Sequence, residues 1–262
     1  MTRSLTQWQP GPVNPSLPHR ELHVWRIPLE PTAPNLDRAR TLLSPEECAR
    51  ADRFTVDAPR RRFILARAAL RILLARYTGQ PPHAIVFTTG PHGKPGLAGD
   101  TPIRFNLSHS EDLALLAITR HTEVGIDIEA IDPRRAADDI AARYFSPAEQ
   151  QQLERHTEPT ARTAAFFRAW SRKEAVIKAL GEGLACPLTS FDVSLDPHDA
   201  RLLALRREHA DPSAWTMLAI DADPGYAAAA AVIGPCDHAA GFTFDAAVAA
   251  RRPHNEPITG LS

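Results

Sequence analysis

The stretch that decides the fold is SPAEQQQLERHTEPTARTAAFFRAWSRKEAVIKALGEG, residues 146–183, because its opening tetrad has a counterpart in Ser44-Pro45-Glu46-Glu47. In both tetrads serine is placed to cap a helix, proline to occupy its first position and glutamate its third. Each tetrad precedes, by about twenty residues, a phenylalanine that begins a long helical pattern. The two serines lie 102 residues apart. We interpret the matching distances as a duplicated subdomain; the alternative is two chance occurrences of a common helix start.

The long helical patterns run from Arg62 to Leu74 and from Phe166 to Leu180, with strand-like runs between and after them. Short β-branched, continuous apolar or alternating runs predict strands. They are residues 84–88, 113–118, 124–128, 191–195, 215–220 and 226–233. This mixture predicts an α+β fold made of two similar halves that meet near residue 123.

The domain boundaries follow from this repeat and from the uneven distribution of 24 prolines. We expect a flexible, proline-rich leader over residues 1–20. A first subdomain is predicted over 21–123, a second over 124–234, and a C-terminal extension over 235–262.

Composition excludes several classes of protein. A hydrophobic content of 44%, a charged content of 23% and a net charge of −1 are ordinary for a soluble globular chain and do not favour nucleic-acid binding. The three cysteines, Cys48, Cys186 and Cys236, are too far apart to predict a zinc site or a disulfide framework. There is no signal-peptide core and no apolar run of the ~18 residues that span a membrane. We therefore expect a cytosolic protein that binds neither nucleic acid nor membrane.

The hexapeptide VGIDIE, residues 124–129, places two carboxylates on one face of a predicted strand. With a side-chain period of two, Val124, Ile126 and Ile128 point towards a core, while Asp127 and Glu129 point the other way. Two like charges this close repel each other unless a cation or a proton lies between them, and oxygen ligands suit Mg²⁺. The alternative is an edge strand with solvated acids.

The second long helix carries Glu174 and Lys178 one turn apart, in line with Trp170. This spacing is also typical of an ion pair that only stabilises an exposed helix. Because the line of residues flanks the apolar stripe of the helix, we favour side chains that point into a cleft.

Three weaker motifs precede these two. The segment FNLSHS, residues 105–110, offers donors to phosphate or ribose oxygens. The segment HGKPG, residues 92–96, predicts a tight turn that presents Lys94 but can equally be a plain turn. Arg60-Arg61-Arg62 is either a solvated basic helix face or a phosphate anchor.

Taken together, HGKP, FNLSHS, VGIDIE and WSRKEAVIKALGEGL resemble the 4′-phosphopantetheinyl transferases of the surfactin-synthetase-activating (Sfp) type. The resemblance covers roughly residues 43–195, and the spacing of G-[IV]-D-[IV]-E from W-x-x-K-E-x-x-x-K is specific to the family. It implies two similar α/β subdomains related by a pseudo-twofold, with coenzyme A bound between them.

The resemblance also implies the site residues. Metal ligands for Mg²⁺ would be Asp127, Glu129 and Glu174, shared with pyrophosphate oxygens of coenzyme A. The catalytic residues would be Glu174, as candidate base, and Lys178. Residues that contact coenzyme A would be Arg62, Gly93, Lys94, Pro95, Ser108, His109, Asp127 and Lys178. Many relatives carry lysines in the first capped helix, where this chain has Glu47, and this puts a coenzyme A contact from that helix in doubt.

The implied reaction transfers the 4′-phosphopantetheine arm of coenzyme A to a serine of an apo acyl, peptidyl or aryl carrier protein, with release of 3′,5′-ADP. Because one chain contains both halves, we expect a monomer. The rival hypothesis from the same acids is a metal-dependent hydrolase of coenzyme A or nucleotide pyrophosphates.

Overall fold

Thirteen strands and six α-helices are described by the computed structural model, which covers residues 4–30, 33–134, 137–207 and 211–245. The helices are α1 (Ala33–Arg40), α2 (Pro45–Asp52), α3 (Asp57–Thr78), α4 (Ala137–Tyr144), α5 (Pro147–Glu154) and α6 (Pro159–Leu180). The strands are β1 (Ser4–Leu5), β2 (Gln9–Pro10), β3 (Glu21–Pro28), β4 (Phe87–Thr89), β5 (Pro95–Leu97), β6 (Ile103–Ser110), β7 (Leu113–Arg120), β8 (Val124–Ala130), β9 (Phe191–Val193), β10 (Leu202–Leu205), β11 (Thr216–Ile220), β12 (Tyr226–Val232) and β13 (His238–Thr243).

Both predicted capping boxes are present. Ser44 and Ser146 each accept a hydrogen bond from the backbone N–H three residues on, and Glu47 and Glu149 each accept from the backbone N–H of the capping serine. The long helices that follow, α3 and α6, both have 22 residues and both end at a glycine with left-handed backbone. All these pairs keep the spacing of 102 residues, which extends the repeat well beyond the tetrads that predicted it.

The sheets repeat as well. In the first half the strand order is β3-β7-β6, and in the second it is β8-β12-β11, so each half places its last strand between the other two. The two sheets face each other across a shared apolar layer, to which Val124, Ile126 and Ile128 contribute as predicted. Separate cores lie between each sheet and its own long helix. The fold is therefore α+β, with two similar halves.

The ends of the chain differ from the expected leader and extension. Strand β1 runs parallel to β11 at the edge of the second sheet, and β2 runs parallel to β13 in the first. Leu5 and Leu17 are buried, so the segment from residue 4 onward packs into the fold despite its prolines. Strand β13 pairs with β3, and Phe242 and Phe244 enter the first core. Residues 246–262 lie outside the described part.

Among the described residues no helix is long and apolar enough to cross a membrane.

Candidate active site

Helix α6 lies directly on strand β8 because residue 125 is glycine. A Cβ added at Gly125 would lie 2.0 Å from the carbonyl oxygen of Ala175 and 2.4 Å from the backbone nitrogen of Ala179. No other residue type could occupy this position without moving the helix away. The close approach brings the turn that contains Glu174 and Lys178 beside Asp127.

The centre of the site is a three-way contact among Lys178, Asp127 and Ser108. Lys178 Nζ donates to Asp127 Oδ1 at 2.5 Å and to Ser108 Oγ at 2.9 Å, and Ser108 Oγ donates to the same Oδ1 at 3.0 Å. The Asp127 side chain is 4% exposed, whereas that of Lys178 is 28% exposed. The pair is therefore closed on the aspartate side and open to a ligand on the lysine side.

The other carboxylate oxygen of Asp127, Oδ2, is buried and has no hydrogen-bond partner. An unpaired buried carboxylate oxygen is costly unless a cation or a donor completes it. Among the features of the site, this atom gives the strongest indication that a positively charged group binds here.

Glu174 is half-buried and belongs to the same acidic group. Its pKa is raised above the ordinary glutamate value, first by burial and then by the negative charge of Asp127, with Glu129 adding to the effect and Lys178 opposing it. The carboxylate therefore holds a proton more readily than usual, or attracts a cation in its place.

Glu129 is held by an aromatic donor. Trp170 Nε1 donates to Glu129 Oε1 at 3.3 Å, which accounts for the tryptophan in line with Glu174 and Lys178. Within the described residues, no three His, Cys, Asp or Glu side chains are placed so that they could hold a metal ion on their own. A divalent cation bound by any of these acids would need further oxygen ligands, such as those of a bound substrate.

Two family profiles match the chain in tandem. The one described as 4′-phosphopantetheinyl transferase, N-terminal, matches residues 28–121, and the 4′-phosphopantetheinyl transferase superfamily profile matches residues 123–231. The 4′-phosphopantetheinyl transferase HetI of Nostoc sp. is 36% identical over 230 residues, which is 87% of this chain and 94% of the relative. The chain belongs to the 4′-phosphopantetheinyl transferase superfamily. It is thus an enzyme of this transferase class, as the resemblance of its motifs implied.

Further similarities are partial. The 4′-phosphopantetheinyl transferase Sfp of Bacillus subtilis (strain 168) is 31% identical over 199 residues, 76% of this chain and 86% of the relative. The solved holo-[acyl-carrier-protein] synthase of Thermotoga maritima aligns with 43% of this chain and 63% of its own, at 21% identity and a TM-score of 0.33.

In this transferase the motif FNLSHS forms a polar seam between the halves. Alternate side chains from residue 106 onward in β6 reach β8: Asn106 Oδ1 accepts from the backbone N–H of Ile126 at 2.9 Å, and Ser110 Oγ accepts from that of Ala130 at 3.0 Å. Ser108, between them, contacts Asp127. The motif predicts ligand donors, whereas Asn106 and Ser110 accept hydrogen bonds from β8; the period of two that they share with Ser108 is the sequence signal for this role.

Arg62 and His109 lie at the open side of the site. Arg62 is paired with Glu111 at 2.8 Å and with Asp112 at 2.9 Å. His109 is exposed, and the pKa of its imidazole is lowered, first by partial removal from water and then by the positive charges of Lys178 and Arg62. Lys178 and Arg62 thus both act on His109, but the lowered pKa favours its neutral imidazole and two carboxylates face Arg62, so their contact with a phosphate stays a prediction.

Lys94 and Glu47 have partners that the sequence did not predict. The Lys94 ammonium binds Glu123, Val124 and Ala179 within the protein, in a turn that also contains Gly93 and Pro95. Glu47 is buried and paired with Arg67 and Arg71 on α3, which makes it a structural residue rather than a ligand contact.

Proposed function

We propose that this chain transfers the 4′-phosphopantetheine arm of coenzyme A to a serine of an apo acyl, peptidyl or aryl carrier protein, with release of 3′,5′-ADP and dependence on Mg²⁺. The observation that carries the proposal is the unpartnered, buried Oδ2 of Asp127, a residue whose Oδ1 accepts from the Lys178 ammonium and whose charge acts on the half-buried Glu174. This arrangement suits a substrate that has both a bound cation and negative phosphate oxygens.

In the proposed reaction the serine oxygen forms a bond to the β-phosphorus of coenzyme A as the bond from that phosphorus to the 3′,5′-ADP oxygen breaks. Lys178 would orient and offset charge on the phosphates through the N–H that its two hydrogen bonds leave available. Arg62 would add a positive charge at the remaining phosphate oxygens, and His109 would add a hydrogen bond.

The serine proton would pass to a Glu174 carboxylate oxygen, directly or through a water molecule. In the metal-free protein the pKa of this carboxylate is raised, so it accepts a proton more readily than an exposed glutamate does. Asp127, Glu129 and Glu174 would hold Mg²⁺ together with substrate oxygens, and when bound the ion would neutralise pyrophosphate charge. Because a bound metal ion lowers the basicity of a carboxylate, Glu174 acts in this proposal first as a metal ligand and only second as a base.

The experiment is to incubate the protein with coenzyme A, Mg²⁺ and an apo carrier protein, and to measure the carrier by mass spectrometry. We expect a mass increase of one phosphopantetheine group and an equal amount of 3′,5′-ADP. Asp127→Ala should abolish transfer, whereas Glu154→Ala, an exposed acid at the end of α5, should leave it intact. Release of 3′,5′-ADP without a carrier would favour the hydrolase instead.

The same assay with a panel of apo acyl, peptidyl and aryl carriers would show which carriers the protein modifies. We propose that the monomer is the active species, since both halves of the site belong to one chain. Light scattering during turnover that showed an obligatory dimer would contradict this.

A further inference from the structure

We propose that Lys94 is a positioning residue: it ties the end of helix α6 to the start of strand β8 and so sets the approach of Lys178 to Asp127. This inference rests on the proposed transfer function and replaces the expected phosphate contact of Lys94.

The Lys94 ammonium has no hydrogen left for a ligand. Its Nζ donates to Glu123 Oε2 at 2.6 Å, to the Val124 carbonyl at 3.1 Å and to the Ala179 carbonyl at 3.0 Å. An ammonium group has three N–H donors, so these acceptors satisfy all of them. The side chain is 16% exposed, which agrees with a group enclosed by protein. A phosphate contact would require that one of these bonds be broken.

Two of the three acceptors, the Val124 and Ala179 carbonyls, belong to the two elements that form the site, and Glu123 directly precedes β8. Ala179 follows Lys178 directly, and its carbonyl is one of the last in α6, where no backbone partner is available. A cation at this end of a helix is also stabilised by the helix dipole. Val124 is the first residue of β8, three positions before Asp127. A single ammonium therefore fixes both backbones close to the catalytic ion pair.

The stem of Lys94 passes over the glycine that ends α6. At Gly181 the backbone is left-handed, with φ of 71°, and an added Cβ would lie 3.0 Å from Lys94 Cδ. Glycine at this position thus ends the helix and also leaves room for the lysine to reach Ala179.

Lys94 itself is held by the turn between β4 and β5. The backbone N–H of Gly90 donates to the Lys94 carbonyl at 2.8 Å, and that of Gly93 donates to the Gly90 carbonyl at 3.0 Å. The lysine therefore projects from a fixed turn of the first half into the second half. The turn that the sequence suggested for ligand binding acts here as a connection between the halves.

The test uses Lys94→Met, which keeps the stem and removes the ammonium, in the full chain. Steady-state transfer should show kcat reduced roughly 10- to 100-fold, with the KM for coenzyme A nearly unchanged, because geometry rather than binding is lost. Hydrogen–deuterium exchange should rise in peptides that cover residues 175–181 and 124–127. The exchange measurement needs no turnover, so it decides the connection even if no carrier is modified by the wild-type protein.

Lys94→Arg separates the two roles further. A guanidinium suits phosphate oxygens but cannot direct three donors to converging acceptors as an ammonium does, so we expect kcat to stay low in this variant. Arg134→Met, at a side chain that is 90% exposed, is the matched control and should change neither exchange nor kcat.

Three results would each overturn the proposal. One is a higher KM for coenzyme A at unchanged kcat in Lys94→Met, the second is full activity in Lys94→Arg, and the third is unchanged exchange in α6 and β8. A wild-type protein that modified no carrier would instead count against the proposed function.

Discussion

Glu149 and Lys173 form an ion pair in which both side chains are completely buried, with 2.7 Å between the ammonium nitrogen and a carboxylate oxygen. Burial raises the pKa of Glu149 and lowers that of Lys173, while each charge opposes the shift of the other. Lys173 is the counterpart of Arg71, which pairs with the buried Glu47 in the first half. Each capping-box glutamate is therefore bound to a cation on the long helix of its own half.

We expect Lys173→Met to destabilise the protein by about 3–5 kcal/mol, because it leaves the Glu149 carboxylate buried without its cation. Urea denaturation measures this loss. The double variant Glu149→Gln/Lys173→Met should recover part of it, and Arg155→Met, on an exposed residue, serves as the control. Equal stability of the single and double variants would contradict the assignment.

Gly125→Ala should damage both stability and activity, because the new Cβ would lie 2.0 Å from the Ala175 carbonyl oxygen. Displacement of α6 should cost about 1–3 kcal/mol. It should also lower transfer roughly 100-fold, since Lys178 moves with the helix. Gly90→Ala is the matched control for stability, because its nearest new neighbour is 3.5 Å away. The prediction fails if the two variants have the same melting temperature.

Glu174→Gln should stabilise the metal-free protein at neutral pH while it removes transfer activity. The pKa of Glu174 is raised by folding, so wild-type stability is lost as the pH rises from the ordinary glutamate value of 4.5 through the folded-state pKa. Glutamine mimics the protonated acid and avoids that loss. Thermal melts in the presence of a chelator should therefore favour the variant at neutral pH and show no difference below pH 4.5. A difference that grew towards acid pH would disprove this sign.

Ser44→Ala and Ser146→Ala form a matched pair that tests the repeat. Each removes the side chain that accepts from the third backbone N–H of its helix, at a cost of about 0.5–2 kcal/mol. We expect the larger cost at Ser146, which is fully buried and leaves its partners without access to water. Urea denaturation measures both losses of unfolding free energy, provided that this free energy depends on urea concentration with the same slope in both variants. If a variant at either serine were as stable as the wild type, that serine would not stabilise its helix as a cap.

The sequence predicted what depends on local pattern. Spacing and alternation within short windows predict the capped helices, the long helices and strand β8. The same patterns single out the acids Asp127 and Glu174 as candidate site residues. The repeat was visible because the spacing of 102 residues is the same at several positions.

What could not be predicted depends on contacts between distant segments. Strand β3 pairs with β13, more than 200 residues later, and β1 pairs with β11. Proline-rich composition therefore suggested a leader where short strands pack. Likewise two partners of Lys94 come from β8 and α6, which are distant in the sequence. The local sequence of the turn is the same whether its lysine is exposed or enclosed by protein, so it could not indicate these contacts.

The polar seam between β6 and β8 has a consequence for the behaviour of the chain in a crowded solution. The N–H groups of Ile126 and Ala130 lie on the side of β8 that faces away from its partner strand, and Asn106 and Ser110 occupy them. A free strand edge is a template on which another polypeptide can add a strand and begin to aggregate. Because Asn106 and Ser110 already accept from these two N–H groups, an incoming chain would find them unavailable as hydrogen-bonding partners.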